Sequence, residues 1–257
     1  MLKNKKGIVF GIANDHSIAW GIAKKLNENG AELAITYQSE SLLKRVEPLA
    51  KKLNSNLLLE CDFNKEGSLE NTIKQITSKW DNIDFIIHAV AFSDKNELNG
   101  RYIETTKQNF INSLNISCYS FTKIAKLAQP FMKSGGSLIT LSFYGSSKVM
   151  PNYNVMGVAK AALETSVKYL SVDLGPQDIR VNAISAGPMR TIAGAAIANA
   201  RDVYKFTEVN SSLKRNVLLE ELGNSALYLV SDLSSAVTGE IHYVDCGFNI
   251  VGMPKIK

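Results

Sequence analysis

The sequence alternates short, almost continuously apolar runs with longer amphipathic stretches along its whole length. The apolar runs occupy residues 7–12, 31–37, 56–61, 83–90, 136–142, 179–185 and 239–245. Short runs that are apolar at nearly every position are typical of parallel strands covered on both faces, and the stretches between them have the spacing of helices. We therefore predict an α/β fold, a single doubly wound domain of the Rossmann type over residues 1–257, with a seven-stranded parallel sheet.

Composition argues against several other classes of protein. The chain is 45% hydrophobic, which suits one large core, and no Pro-, Gly- or Ser-rich linker divides it. The net charge is +5, but the basic residues are scattered, and no basic run with interleaved aromatic residues suggests nucleic acid. No apolar run approaches the roughly 18 residues of a membrane span. Cys61, Cys118 and Cys246 have no metal-binding spacing, so we expect no metal and buried thiols in the cytoplasm.

The residues after each predicted strand are the candidates for binding, since doubly wound sheets hold ligands beyond the carboxyl ends of their strands. After the first strand, Gly11 permits a tight turn. Ser17 and Ile18 then open a helix whose N–H groups suit a pyrophosphate. The usual GxGxxG motif is absent. An ordinary turn with Ser17 as the helix N-cap therefore remains equally open.

The ends of the next three predicted strands also carry candidates. Gln38 can bind ribose hydroxyls but cannot neutralise a 2′-phosphate, which favours NADH over NADPH; a surface turn is the alternative. Asp62 can accept a hydrogen bond from an adenine amino group, and Phe63 can supply backbone contacts, unless Asp62 is a plain N-cap. His88 lies within a buried strand, so we expect a core histidine rather than a ligand.

Tyr153 and Lys160 form the most informative pair in the chain. Residues 149–175 predict one long helix, with Pro151 in its first turn and Gly175 at its end. On such a helix the two side chains share a face, about 10 Å apart along the axis. A nearby ammonium stabilises a phenolate, so we expect Lys160 to make Tyr153 a better proton donor.

Several segments together resemble one family. They are GIANDHSIAWGIA, AELAITYQSE, NYNVMGVAKAALE, IRVNAISAGPMRT and VTGEIHYVDCGFNI. They are similar to the bacterial NADH-dependent enoyl-acyl-carrier-protein reductases, a divergent branch of the short-chain dehydrogenase/reductase superfamily, and the resemblance covers residues 3–252. It implies reduction of the trans-2 double bond of enoyl-acyl-carrier-protein thioesters with NADH, the last reductive step of each fatty acid elongation cycle, by a cytoplasmic homotetramer.

The resemblance also implies which residues form the site. The family's Tyr-x6-Lys pair falls on Tyr153 and Lys160, which would be catalytic. Its cofactor contacts fall on Gly11, Ser17, Ile18, Gln38, Asp62, Phe63, Val90, Lys160, Met189, Arg190, Thr191, Ile192 and Ala193. Its substrate contacts fall on Ser93, Phe143, Tyr153, Ala196 and Ile197. Residues 187–206 would be the substrate-binding loop, with a plain surface helix as the alternative. Candidate contacts for the acidic carrier protein are Arg201, Lys205, Lys214 and Arg215.

One position departs from the family pattern. Phe143 stands where the relatives usually carry a tyrosine, and Tyr144 should face the other way, as neighbours on a strand do. We expect the Phe143 ring to shape the acyl pocket and the missing hydroxyl to be dispensable. Ordinary ketoreductases of the superfamily need a tyrosine where this chain has Met156 and a serine where it has Phe143. Another short-chain reductase and a non-catalytic dinucleotide-binding sensor remain as alternatives.

Overall fold

The computed structural model describes residues 1–195 and 200–253. The strands are β1 (Lys6–Phe10), β2 (Glu32–Tyr37), β3 (Leu57–Glu60), β4 (Phe85–His88), β5 (Gly136–Phe143), β6 (Ile179–Ala186) and β7 (Ile241–Val244). The helices are α1 (Ile18–Glu28), α2 (Glu40–Lys52), α3 (Ser68–Thr77), α4 (Lys107–Leu114), α5 (Ser120–Ala128), α6 (Val155–Leu174), α7 (Ile192–Ala195), α8 (Ala200–Asn210) and α9 (Leu219–Val230). Within the two described ranges, no helix combines the length and hydropathy of a membrane-spanning segment.

The strands form one parallel sheet in the order β3-β2-β1-β4-β5-β6-β7. Each of the seven predicted apolar runs overlaps one strand, so the predicted fold class is confirmed. The chain runs outward from β1 to β3 and then crosses back, which places β4 on the other side of β1. Where the strand order reverses in this way, a crevice opens beyond the carboxyl ends of the two central strands.

Both faces of the sheet are covered, which explains why its strands are apolar at nearly every position. Val9 of β1 packs into one core layer, while its neighbours Ile8 and Phe10 pack into the other. Helices α1, α2 and α9 supply buried residues to the first layer, and α3, α5 and α6 supply them to the second. Because alternate side chains on a strand point to opposite faces, a sheet buried on both sides needs apolar residues at every position.

The long helix after β5 begins later than the sequence predicts. Helix α6 starts at Val155, so the prediction that Pro151 lies in its first turn is wrong, whereas Gly175 is the C-cap as expected. Asn152 and Asn154 have φ values of +57° and +40°, a left-handed conformation that a right-handed helix cannot include. Tyr153, between them, therefore lies in the turn that precedes the helix.

Candidate active site

Gly11 brings the backbones of β1 and β4 together where the strand order reverses. It follows β1 directly and has a φ of +104°, a conformation that residues with a Cβ rarely adopt. A Cβ at this position would lie 2.1 Å from the carbonyl oxygen of Ala89, the residue after β4. The turn thus requires glycine for two separate reasons, its positive φ and the close approach of the backbone that follows β4.

Ser17 occupies the N-cap position of α1 but does not cap the helix with its hydroxyl. Its Oγ instead accepts hydrogen bonds from the N–H groups of Ala13 and Asn14, each at 3.1 Å. Ser17 is thus the N-cap residue, as the ordinary-turn alternative predicts, but its hydroxyl orders the loop before the helix instead of capping the helix. The first N–H groups of α1, beginning at Ile18, have no side-chain cap. They lie beside the crevice, where the helix dipole favours an anionic group.

Gln38, Asp62 and Phe63 lie along the same edge of the sheet, at the ends of β2 and β3. Gln38 is exposed and Asp62 is half-buried. The N-cap of α3 is Gly67, so the alternative that Asp62 is a plain N-cap is wrong. Phe63 is half-buried, and its ring packs against Phe10 of the core with centroids 5.8 Å apart.

His88 is a core histidine, as the sequence predicts. The side chain is fully buried at the end of β4. Its Nδ1 and Nε2 atoms lie 2.8 Å from the hydroxyl oxygens of Thr140 and Ser120, respectively. Burial, and then the charge of Lys160, lower the pKa of His88 to about 3, so the ring is neutral near pH 7.

Val90 and Ser93 continue from β4 into the loop beside the crevice. Val90 is half-buried and packs against the second core layer. Ser93 is hydrogen-bonded to the side-chain amide of Asn109, its Oγ lying 3.3 Å from Oδ1. The same Oδ1 accepts the N–H of Asp94 at 2.9 Å. Asn109 thus fixes this loop, a role with no signal in the sequence because the two segments are distant along the chain.

Lys160 and Tyr153 both contact the end of β5, although Tyr153 reaches it from a turn rather than from the helix. They are almost fully buried, with 5% and 7% of their surfaces exposed. Lys160 Nζ donates a hydrogen bond of 2.7 Å to the carbonyl oxygen of Leu141. Burial lowers the pKa of Lys160 to about 8, while Cys118 and Glu164 act in the opposite direction. The ammonium is therefore held at the carboxyl edge of the sheet.

The pKa of Tyr153 is raised, not lowered. Burial is the main cause, because it disfavours the phenolate, and the negative charge of Glu164 adds to it. The expectation that Lys160 acidifies the phenol is therefore wrong for this structure. Tyr153 stays protonated and can act as a hydrogen-bond donor.

The side chains of Phe143 and Tyr144 diverge as strand geometry predicts. The Phe143 ring meets the Tyr153 ring edge-on, with centroids 5.1 Å apart and planes at 72°. The Tyr144 ring instead packs against Phe248, with centroids 5.8 Å apart. Phe143 and Tyr153 belong to one apolar cluster with Leu98, Met150 and Met156. The surroundings of the Tyr153 phenol are thus apolar, which suits an acyl chain.

Residues 189–195 lead from β6 into the predicted substrate-binding loop. Met189 packs against the first core layer. The Arg190 guanidinium carbon lies 4.5 Å from the ring centroid of Tyr204 in α8. Thr191 Oγ1 accepts the N–H of Gly194 at 2.9 Å. Ile192 begins the short helix α7, which includes the backbone of Ala193, and the predicted substrate contacts Ala196 and Ile197 lie outside the described residues.

Sequence reasoning missed Glu164, which lies one helical turn after Lys160. Its Oε1 accepts hydrogen bonds from the hydroxyls of Ser142, at 2.5 Å, and Ser146, at 2.6 Å. Its charge also contributes to the pKa values of Tyr153 and Lys160. The i, i+4 spacing from Lys160 is the only local signal.

Comparisons with known proteins agree on one family. The family model described as enoyl-(acyl carrier protein) reductase matches residues 11–249. The chain is 56% identical over 257 residues to enoyl-[acyl-carrier-protein] reductase [NADH] 2 of Rhizobium meliloti, covering 100% of this chain and 96% of the relative. It is 52% identical over 256 residues to the corresponding NADH enzyme of Rickettsia typhi, covering 100% and 98%. The crystal structure of the enoyl-acyl-carrier-protein reductase of Anaplasma phagocytophilum in complex with NAD superposes with a TM-score of 0.96 at 54% identity, covering 99% of this chain and 97% of that one.

Proposed function

Because the chain belongs to the enoyl-(acyl carrier protein) reductase family, we propose that Tyr153 and Lys160 form its catalytic centre. The enzyme reduces the trans-2 double bond of enoyl-acyl-carrier-protein thioesters with NADH, the last reductive step of each fatty acid elongation cycle. The observation that carries the proposal is the burial of both side chains at the end of β5, beside the crevice of the doubly wound sheet.

The edge of the sheet fits a dinucleotide. Gly11 makes the tight turn between β1 and α1, and the N-terminus of α1 lacks a side-chain cap, which together suit a pyrophosphate. Gln38 is exposed at the end of β2, where its amide would bind the adenosine ribose. The further proposed contacts to the cofactor are Ser17, Ile18, Asp62, Phe63, Val90, Met189, Arg190, Thr191, Ile192 and Ala193.

Tyr153 would stabilise the negative charge that develops on the thioester oxygen. NADH supplies the hydride that the β-carbon receives. The protonated phenol donates a hydrogen bond to the oxygen, and the apolar surroundings strengthen that bond because water does not compete for it. A hydrogen bond that strengthens as charge develops lowers the barrier rather than merely improving binding. The α-carbon receives its proton from solvent.

Lys160 would hold the nicotinamide ribose. One of its N–H groups is used by Leu141, which leaves two donors on the ammonium for ribose hydroxyls. With a pKa of about 8, the group is mostly protonated near neutral pH. Its charge also raises the positive potential around the developing oxyanion.

The acyl chain would lie against the apolar cluster around Tyr153. Phe143 supplies a ring to this cluster but no hydroxyl, so Tyr153 would be the donor to the thioester oxygen. Ser93 would contact the thioester through its backbone. Ala196 and Ile197 would line the channel as part of a substrate-binding loop at residues 187–206, within one catalytic domain at 1–257.

The carrier protein would approach the basic residues near this loop. Arg215 forms a bidentate ion pair with Glu221, with hydrogen bonds of 2.6 and 2.8 Å. Lys214 Nζ donates a hydrogen bond of 3.2 Å to the carbonyl oxygen of Val209. Arg201 and Lys205 are exposed on α8, so we favour these two as contacts for acidic side chains of the carrier protein. We further propose that the enzyme is a cytoplasmic homotetramer.

The test is oxidation of NADH in the presence of an enoyl-acyl-carrier-protein or crotonyl-CoA. An acetoacetyl thioester and NADPH serve as parallel controls for substrate and cofactor. We expect turnover that requires the enoyl thioester and prefers NADH, and a loss of kcat without loss of NADH binding in Tyr153→Phe. Unimpaired turnover by Tyr153→Phe would refute the proposed catalytic role, and turnover of the acetoacetyl thioester alone would indicate a carbonyl reductase instead.

A further inference from the structure

Glu164 joins the end of β5 to α6 through two serine hydroxyls. Its Oε1 accepts from Ser142 Oγ at 2.5 Å and from Ser146 Oγ at 2.6 Å, distances typical of hydrogen bonds to a charged carboxylate. Ser142 lies one residue before the end of β5, and Ser146 ends the 3₁₀ turn Tyr144–Ser146 that follows. One carboxylate oxygen therefore fastens both ends of the segment 142–146 to the helix.

The fastened segment packs directly against the Tyr153 ring. Gly145, in the middle of the turn, lies so close that a Cβ there would be 2.5 Å from Cδ1 and 2.7 Å from Cε1 of Tyr153. On the helix side, a Cβ on Gly157 would lie 2.8 Å from the carbonyl oxygen of Gly145. The Phe143 ring also packs against the same Tyr153 ring, with centroids 5.1 Å apart. The position of the phenol is thus set by backbone that Glu164 holds.

We propose that Glu164 is a positioning residue, which binds the hydroxyls of Ser142 and Ser146 and thereby holds the turn that orients the Tyr153 phenol toward the thioester oxygen. This inference rests on the proposed role of Tyr153. Among the ion pairs of residues 1–195 and 200–253, none includes Glu164, so binding a cation is not its evident purpose. Its negative charge favours both the protonated phenol and the charged form of Lys160, so the variants must separate this effect from the geometric one.

Loss of this contact should reduce the chemical step and spare cofactor binding. The Gly11 turn and the Leu141 carbonyl that accepts from Lys160 both lie outside the segment 142–146. A displacement of the phenol by about 1 Å is enough to lower kcat up to about 100-fold. We therefore expect Glu164→Ala to lower kcat at least about tenfold. The Kd for NADH should stay unchanged when it is measured at about pH 6, where Lys160 stays charged without Glu164.

Glu164→Gln separates hydrogen bonding from charge. Both serine hydroxyls donate to the same oxygen, and the amide oxygen of glutamine can accept both, so this variant should retain most of kcat. The double variant Ser142→Ala/Ser146→Ala should lower kcat as much as Glu164→Ala does. Adding Glu164→Ala to this double variant should lower kcat no further. Asp173→Ala, an exposed acidic residue near the other end of α6, is the matched control and should leave kcat unchanged.

The deciding measurement is the effect of Glu164→Ala in a Tyr153→Phe background, by steady-state kinetics with an enoyl thioester. A residue that acts through the phenol should have no further effect on kcat once the hydroxyl is absent. An equal fractional loss in both backgrounds would overturn the proposal, because it indicates a general structural effect. If Tyr153→Phe alone keeps full turnover, the proposed catalytic role fails, which is a different outcome. Should Glu164→Ala not fold, Ser146→Ala replaces it in the same comparison.

Discussion

Replacing Gly11 by alanine should destabilise the protein more than the same replacement at a glycine that also has a positive φ but has open space around it. The residue has a φ of +104°, and the new Cβ would lie 2.1 Å from the carbonyl oxygen and 2.7 Å from the carbonyl carbon of Ala89. Both are backbone atoms next to β4, so no side-chain rotation relieves the overlap. Gly67 has a φ of +76° with open space around it, and Gly175 has an ordinary φ of −53° and open space. These two serve as matched controls.

The three variants separate the contributions to the free energy of unfolding. Gly175→Ala should stabilise by about 0.4–1 kcal/mol, because alanine restricts the unfolded chain. Gly67→Ala has the same benefit but adds a left-handed alanine, which costs roughly 1–2 kcal/mol. Gly11→Ala carries that cost and, in addition, the steric overlap with the backbone that follows β4. Overpacking destabilises proteins by about 1–3 kcal/mol, and we expect the upper end of this range because backbone atoms move less easily than side chains. Gly11→Ala should therefore be about 2–3 kcal/mol less stable than Gly67→Ala.

Thermal unfolding monitored by circular dichroism measures the difference. For a chain of 257 residues, each kcal/mol shifts Tm by about 2–4 °C, so Gly11→Ala should melt roughly 4–12 °C below Gly67→Ala. A titration with NADH should also show weaker binding, because β1 and β4 must separate at the crevice to admit the methyl group. Equal Tm values for Gly11→Ala and Gly67→Ala would refute the reasoning, since they would show that the turn moves without cost.

Three further predictions concern the active site. Because Lys160 is charged below its pKa of about 8, NADH affinity measured by titration should fall as pH rises through that value, and Lys160→Met should show no such dependence. Phe143→Tyr should change kcat by no more than about fivefold, the equivalent of one net hydrogen bond of ~1 kcal/mol; a larger gain would show that the missing hydroxyl limits this enzyme. The pKa of His88 falls from 6.5 to about 3 on folding, so the unfolded chain binds the extra proton between these values. Stability in urea should therefore fall as pH drops through this window, and less steeply in His88→Gln.

The fold was predictable because its determinant is local in the sequence. A strand buried on both faces must be apolar at nearly every position, and each of the seven apolar runs overlaps a strand. His88 was recognised as a core residue for the same reason, since it lies within such a run. Most predicted runs extend one or two residues beyond their strands, because a strand ends where its backbone pairing ends and hydrophobicity does not report that pairing.

The start of α6 was mispredicted because a pattern of apolar residues does not report backbone handedness. The segment from Val149 to Val155 continues the helical spacing, and proline is common at helix starts. The residues that end the pattern are Asn152 and Asn154, since asparagine adopts positive φ more readily than most residues. The sequence Pro151-Asn152-Tyr153-Asn154, with an asparagine on each side of the tyrosine, therefore signals a turn. Their conformation places Tyr153 before the helix, where the turn rather than the helix face directs the phenol.

The electrostatics of the site were mispredicted because they depend on burial and on contacts between distant segments. The pair of Tyr153 and Lys160 suggests a phenol acidified by an ammonium, yet burial and Glu164 raise the pKa of Tyr153. The same limit hid Glu164 itself. Its serine partners lie 22 and 18 residues earlier, and neither carries a motif. Spacing along a chain identifies which side chains share a helix face, whereas the groups that fix their orientation belong to the strand and turn that the helix packs upon. Variants that change only Tyr153 or Lys160 therefore test the chemistry, and variants of Glu164 and the two serines test how the fold holds it in place.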